Sequence, residues 1–413
     1  MNAAAPGRNG GRIVVVGGGL AAGTAVTSLR EQGHDGEIVL FTDEGHAPYE
    51  RPPLSKSYLM GKDPADKALV QPPQWYADHA VELRTDTRVT GVDPSAHTVT
   101  AAGETIGYDR LLLATGARPR HLAMADDSGA PVTYLRTLDD STALREQLQR
   151  GRRITIIGGG WIGLEVAAAA REAGCEVVVL EGLEQPLVRV LGPEVASIFA
   201  GLHREHGVDL RTGVQVSAID GDGTVTLRDG TRIPSDHLVV GVGVDPATEL
   251  AEAAGLTVDN GIRVDAQLRT SAPDVLAAGD VANADHPVLG HPIRVEHWDT
   301  AIKHGRVAAA NLLGGSETAD ALPYFFTDQY DLGMEYVGNP GPEGYDRVLV
   351  RGHRDGDRVF TAWWLRGDLV VAGMHANDWD AIGGVRRLVG ARVDVAGLED
   401  EATPLGEVRI LTT

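Results

Sequence analysis

Arg12-Ile-Val-Val-Val-Gly-Gly-Gly-Leu-Ala-Ala-Gly23 and, further along, Arg153-Ile-Thr-Ile-Ile-Gly-Gly-Gly-Trp-Ile-Gly-Leu-Glu165 decide how this chain folds. Each opens with a short continuous run of β-branched residues, the signature of a strand buried on both faces of a parallel sheet. Each run ends in a glycine triplet, Gly17 to Gly19 and Gly158 to Gly160, and passes into a helix-like stretch, Thr24–Arg30 in the first copy and an alanine-rich run to Arg171 in the second. A second apolar strand follows both times. Glu37–Phe41 ends at Asp43 and Glu44, and Glu176–Leu180 ends at Glu181. Glu44 stands 21 residues beyond Gly23 and Glu181 stands 18 beyond Gly163, close to the ~20 at which an acid meets a ribose hydroxyl. In such a unit the first glycine makes the turn, the second lets pyrophosphate touch the backbone, and the third lets helix and strand approach; the helix N-terminus then offers free N–H groups to the phosphates. The first copy carries Ala22 at the third position, with Gly23 one residue later. Two such units point to two dinucleotide sites.

The strand-end acids assign the occupants. A carboxylate at Glu181 pairs with a free 2′-hydroxyl and repels a 2′-phosphate, which favours NADH over NADPH. With the mobile nicotinamide carrier in the second unit, the first is left for a resident flavin. Two more strands fit that assignment: Asp109–Leu113 leads into the small-residue turn Ala114-Thr115-Gly116, and Thr270–Ala278 closes on Gly279 and Asp280. A carboxylate at that strand end can accept hydrogen bonds from the hydroxyls of a sugar-like chain.

Composition removes other classes. The chain has 413 residues, two to three domains' worth, and is 43% apolar, without an apolar run near the ~18 residues of a membrane span. Its formal charge of −21 opposes nucleic acid and anionic membranes. The single cysteine, Cys175, excludes an internal disulfide framework, a redox pair of cysteines and a Cys-rich metal site, and no metal-ligating cluster is visible. The opening MNAAAPGRNGG lacks the order of a signal peptide, so a cytoplasmic location is expected.

Five segments in order carry a family resemblance: the first glycine unit, Pro48-Tyr-Glu-Arg-Pro-Pro-Leu-Ser-Lys56, Ala114-Thr-Gly116, Gly158–Glu165 and Ala278-Gly-Asp280. Together with Pro323–Tyr330 they resemble the NADH-dependent ferredoxin reductases of bacterial oxygenase systems, the putidaredoxin and rubredoxin reductase type, within the pyridine nucleotide–disulfide reductase superfamily. The resemblance implies an α/β fold of two Rossmann-like domains, the FAD domain interrupted by the NAD domain, plus a smaller C-terminal α/β domain. The implied divisions are 1–116 and 247–322 for FAD, 117–246 for NAD, and 323–413 for the C-terminal domain. FAD would be met by the fingerprint residues Gly17, Gly19 and Ala22 and by Ala21, Asp43 or Glu44, Arg51, Lys56, Val89, Ala114, Thr115, Gly116, Arg136, Gly279, Asp280 and Trp298. NADH would be met by Gly158, Gly160, Ile162, Gly163, Glu165 and Glu181.

The implied activity takes hydride from NADH and delivers single electrons to a two-iron ferredoxin, which in turn supplies a haem monooxygenase or a dioxygenase. Lys56 is the expected catalytic cation, stabilising negative charge on the reduced flavin, with Glu165 as the partner that holds it. Thiol chemistry is excluded because the segment before Lys56 has no cysteine. Docking of an acidic ferredoxin on an acidic chain requires a local basic patch. Lys303 and Arg306 are candidates, the latter by the resemblance, and Arg386, Arg387 and Arg392 form a second basic stretch; Phe326 stands where relatives often carry Trp. Rival readings are an NADH oxidase or quinone reductase, and a redox-sensing binding protein like the apoptosis-inducing factors.

Overall fold

The glycine-ended runs become the central strands of two parallel sheets. The computed structural model describes residues 10–411, so residues 1–9, part of the stretch read for export, lie outside the described residues. In chain order the elements that position the sites are β1 (Ile13–Val16), α1 (Leu20–Glu31), β2 (Ile38–Phe41), β3 (Val81–Arg84), β4 (Arg110–Leu113), β5 (Arg153–Ile157), α2 (Trp161–Glu172), β6 (Glu176–Leu180), β7 (Asp209–Arg211), β8 (His237–Val240), β9 (Val275–Ala277), α3 (Trp298–Leu312), β10 (Tyr324–Gln329), β11 (Leu332–Gly338), β12 (Arg347–Gly352), β13 (Phe360–Arg366) and β14 (Leu369–Ala376). They divide between two compact units.

The first unit comprises Met1–Pro52, Pro64–Arg118 and Val244–Ala321. Its sheet runs β9–β4–β1–β2–β3 with every pair parallel. Val14 pairs with Val39 on one side and Leu111 on the other, and β1 and β2 are buried along their whole length. The burial explains the uninterrupted apolar runs. α1 begins at Leu20, earlier than the sequence reading placed it, because Gly19 is already the extended residue that precedes the first turn. Against α1 lies α3, so close that a Cβ on Gly305 would stand 2.7 Å from the Ala21 carbonyl oxygen.

The second unit comprises Pro53–Asp63, Pro119–Gly243 and Leu322–Thr413. Its parallel sheet runs β7–β6–β5–β8 and ends on the short strand Val132–Thr133. The element order repeats that of the first unit: strand, helix, two strands, a three-stranded antiparallel meander, then a strand returning beside the first. In both, the glycine turn follows the strand where the order of connection reverses, so a crevice opens there beyond the strand ends. The C-terminal part of this unit is an antiparallel sheet, β10–β11–β14–β13–β12. Its strand β10 alternates: Phe325, Thr327 and Gln329 are buried, and Phe325 joins the core that contains Leu164 and Val166 of α2. Cys175 is buried, with its Sγ hydrogen-bonded to the Gln149 carbonyl. Among the described residues no helix is long and apolar enough to cross a membrane, and no cluster of three His, Cys, Asp or Glu side chains is placed to hold a metal.

Candidate functional site

In the first unit the parallel strands end together. The turn Gly17–Ala22 leaves β1, Asp43 and Glu44 follow β2, Ala114–Gly116 follow β4, and Gly279 and Asp280 follow β9. Backbone bonds tie these ends: Gly17 N–H donates to Phe41 O at 2.8 Å and Ala114 N–H to Val16 O at 2.8 Å. Thr115 Oγ1 donates to Ala247 O at 2.7 Å. Of the two candidate acids after β2, Asp43 is exposed, whereas Glu44 is engaged by Arg51 at 2.9 Å and by the Tyr49 hydroxyl. Burial works against the Arg51 charge, but Tyr49, Glu44 and then Asp280 outweigh it and raise the guanidinium pKa. Gly279 N–H donates to His304 Nδ1 at 3.3 Å, and Arg294 donates to the Asp280 carbonyl at 3.2 Å, so the turn carrying Asp280 is held from both sides. Burial lowers the His304 and His297 imidazoles to about 4, leaving both neutral near pH 7. Val89 opens a meander strand and is buried; Trp298 starts α3 and is half-buried.

In the second unit Gly158–Gly163 leave β5 in the same way. Glu181, directly after β6, accepts from the Gly159 N–H at 2.7 Å and from the Leu183 N–H at 2.8 Å. The carboxylate is thereby fixed beside the glycine turn. Ile162 is 45% exposed on the first turn of α2.

The two turns meet the requirements of a dinucleotide in matching ways. A Cβ on Gly17 (φ +134°) would lie 2.1 Å from the Ala114 oxygen, and one on Gly158 (φ +111°) 2.2 Å from the Gly241 oxygen. A Cβ on Gly19 or Gly160 would meet nothing within 4 Å. The central glycine of each turn therefore faces open space, where a pyrophosphate can approach the backbone, and neither α1 nor α2 has a capping side chain on its first N–H groups. At the third position the two turns differ: a Cβ on Gly163 would stand 2.1 Å from the Gly158 carbonyl oxygen, whereas the first unit accepts Ala22 there, and Gly23, one residue later, faces Pro48, whose Cβ would lie 2.8 Å from an added Cβ.

Residues 11–305 match the pyridine nucleotide-disulphide oxidoreductase family, and residues 324–409 match the reductase C-terminal family. The chain belongs to the pyridine nucleotide-disulphide oxidoreductase family. This oxidoreductase is 38% identical to putidaredoxin reductase of Pseudomonas putida over 408 residues, 96% of each chain. It is 41% identical to the ferredoxin–NAD(+) reductase component of the anthranilate 1,2-dioxygenase system of Burkholderia cepacia, covering 95% of this chain and 98% of that one. Its fold matches the crystal structure of the covalent putidaredoxin reductase–putidaredoxin complex with a TM-score of 0.92 at 38% identity, over 97% and 98% of the two chains. The family uses FAD and NADH, and this chain is an NADH-dependent flavoprotein oxidoreductase.

Two residues read as FAD contacts, Lys56 and Arg136, fall in the oxidoreductase's second unit, apart in the chain's division from the other flavin candidates. Arg136 stands just before the capped helix that starts at Leu138, its backbone N–H on Asp140. Lys56 Nζ pairs with Glu165 Oε2 at 2.7 Å, both side chains largely buried, and lies 5.8 Å from the centre of the Phe326 ring. Sequence reasoning missed the other partners of Glu165, the hydroxyls of Ser55 and Thr327, because no local spacing relates them to it. The basic patches also differ from their sequence reading. Lys303 is paired with Asp299 one turn back at 2.5 Å, while Arg306 is exposed on α3. Arg387 donates to the Leu405 and Val408 carbonyls and Arg392 pairs with Asp368, so these two cations bind their own domain.

Proposed function

We propose that this oxidoreductase carries electrons from NADH through FAD to a two-iron ferredoxin serving a haem monooxygenase or a dioxygenase. The observation that carries the reading is the doubled glycine cradle in a chain whose single thiol, Cys175, is buried: two dinucleotides can be held, a pair of cysteines is not there to take the electrons, and they leave to an acceptor outside the chain. The relatives bearing ferredoxin reductase names support that outlet. FAD, when bound, supplies the chemistry that accepts a pair of electrons and returns them one at a time.

The remaining work falls to side chains. Glu181 selects the unphosphorylated ribose of NADH. Asp280, with Glu44 or Asp43, takes sugar and ribityl hydroxyls in the first unit. Lys56, fixed by Glu165, supplies the positive charge that favours reduced flavin. Arg306 and Phe326 are assigned to the carrier. We assign FAD binding to residues 1–116 and 247–322, NAD binding to 117–246 and the C-terminal reductase domain to 323–413. A cytoplasmic setting is part of the same proposal.

One experiment tests the reading: the yellow protein is mixed with NADH and turnover is compared for a two-iron ferredoxin, oxygen and a quinone. Ferredoxin turnover far above the others is expected. Fast oxygen or quinone turnover alone would replace the reading with an oxidase or quinone reductase. Slow reoxidation by every acceptor, with persistent long-wavelength absorbance, would replace it with a redox sensor.

A further inference from the structure

Glu165 is held by more than its ion pair. Its carboxylate, 4% exposed, receives Lys56 Nζ and the Ser55 hydroxyl on Oε2, and the Thr327 hydroxyl on Oε1 at 2.6 Å. Behind it the bonds continue. Thr327 Oγ1 accepts from Gln329 Nε2 at 3.2 Å, and Gln329 Oε1 lies 2.8 Å from His203 Nε2. The Gln329 nitrogen is donating to Thr327, so its oxygen must accept, and His203 carries its proton on Nε2. His203 Nδ1 then faces the Tyr330 hydroxyl at 3.5 Å. Burial lowers the His203 imidazole to about 4, so near pH 7 it is the neutral ring with one donor and one acceptor that this arrangement needs.

Each hydrogen in the series points the same way. Tyr330, His203, Gln329 and Thr327 donate in turn toward one carboxylate, and Thr327, Gln329 and His203 are essentially inaccessible to solvent. Head-to-tail hydrogen bonds polarise one another, and a buried group left without its partner carries a desolvation penalty. Thr327 and Gln329 come from β10 of the C-terminal sheet, and His203 comes from the long helix Val188–Glu205. This strand and this helix are thus joined by one series of hydrogen bonds that ends on a side chain of α2.

We propose that Thr327, Gln329 and His203 are positioning residues that orient the Glu165 carboxylate and, through it, Lys56. The C-terminal sheet, which also carries Phe326, is then part of the reductive apparatus. This inference rests on the role given to Lys56 above.

The test uses Thr327→Val, which keeps the shape and removes the hydroxyl, against Thr327→Ser, which restores it, with Gln329→Leu breaking the series one link further out. The chain has four lysines, Lys56, Lys62, Lys67 and Lys303, so protein labelled at lysine Cε gives four carbon signals, assignable by single Lys→Arg variants. In Thr327→Val the Lys56 signal should move toward those of the exposed lysines while the other three stay. Gln329→Leu should give a smaller shift in the same direction, and Thr327→Ser should resemble the parent. Flavin reduction at saturating NADH should slow about tenfold in Thr327→Val, with NADH affinity changed less than about twofold. An unmoved Lys56 signal in both Thr327→Val and Gln329→Leu, or a Thr327→Ser variant as impaired as Thr327→Val, would overturn the proposal. A parent protein that NADH cannot reduce would instead refute the proposed function, and the lysine signals would still decide the positioning.

Discussion

Gly158 and Gly160 are two residues apart in one turn, yet alanine at each should fail in a different way. At Gly158 the backbone has φ +111°, and an added Cβ would stand 2.2 Å from the Gly241 carbonyl oxygen, a backbone atom that cannot swing aside. Strain at a disfavoured φ costs ~1–3 kcal/mol and forced overlap a similar amount, so Gly158→Ala should destabilise the folded chain by ~2–6 kcal/mol. At Gly160 the backbone is extended, φ −77° and ψ −179°, with no atom within 4 Å of the added methyl. Alanine there restricts the unfolded chain without straining the native one, worth ~0.4–1 kcal/mol of added stability. The methyl would occupy the space kept for pyrophosphate. A lost hydrogen bond to a charged phosphate is worth ~1.5–3 kcal/mol, so NADH binding should weaken about 10- to 100-fold.

Thermal melts of both variants without NADH, followed by calorimetric titration with NADH, separate the two effects. Gly158→Ala should melt clearly below the parent. Gly160→Ala should melt at or above it and bind poorly. A Gly160→Ala protein with parental NADH affinity would show that the open space beside this glycine is not where the nucleotide lies. One that melts as early as Gly158→Ala would refute the steric reasoning itself.

Three further perturbations address individual charges. Glu181→Gln should lower the NADH-over-NADPH ratio of kcat/KM by roughly tenfold, since it removes the charge opposing a 2′-phosphate, and an unaltered ratio would remove Glu181 from the specificity site. Lys56→Ala should slow flavin reduction at saturating NADH about 100-fold while changing NADH affinity little; parental single-turnover reduction would end the role assigned to that cation. Arg306→Glu should raise KM for a two-iron ferredoxin about tenfold at low ionic strength, with the difference shrinking in 0.5 M salt and reduction by NADH unaffected; equal ferredoxin kinetics at low salt would place docking elsewhere.

What the sequence discloses and what it hides follow from how far apart the interacting groups lie along the chain. A strand, its glycine turn, the helix and the next strand's acid occupy some twenty to thirty consecutive residues, so Gly17 to Glu44 and Gly158 to Glu181 carry their own structural explanation. The Glu181 carboxylate meets the Gly159 N–H because the Rossmann unit places those two strand ends side by side. The Lys303–Asp299 pair could also have been read, since the two are four residues apart on a helix, and overlooking it made Lys303 look more available than it is. By contrast, Arg392 meets Asp368 and Arg387 meets the Leu405 carbonyl through the folding of the C-terminal domain, which no linear spacing announces.

The setting of Glu165 marks the boundary most clearly. As a helix residue two positions past a glycine, it would ordinarily be expected to face solvent, and only its match to a family motif singled it out. Its neutralisation comes from Lys56 and Ser55 on a loop far upstream and from Thr327 on a strand far downstream. A buried carboxylate with three donors is costly unless all three are present, so this arrangement could not have arisen from the nucleotide-binding unit alone. The pattern in β10 gives a physical reason for the attached domain: Phe325 fills the core against α2, while Thr327 and Gln329 on the same buried face supply polar groups where an apolar pair would have packed more simply. Polar side chains at two of the three buried positions of that strand are then explained by the charge they serve.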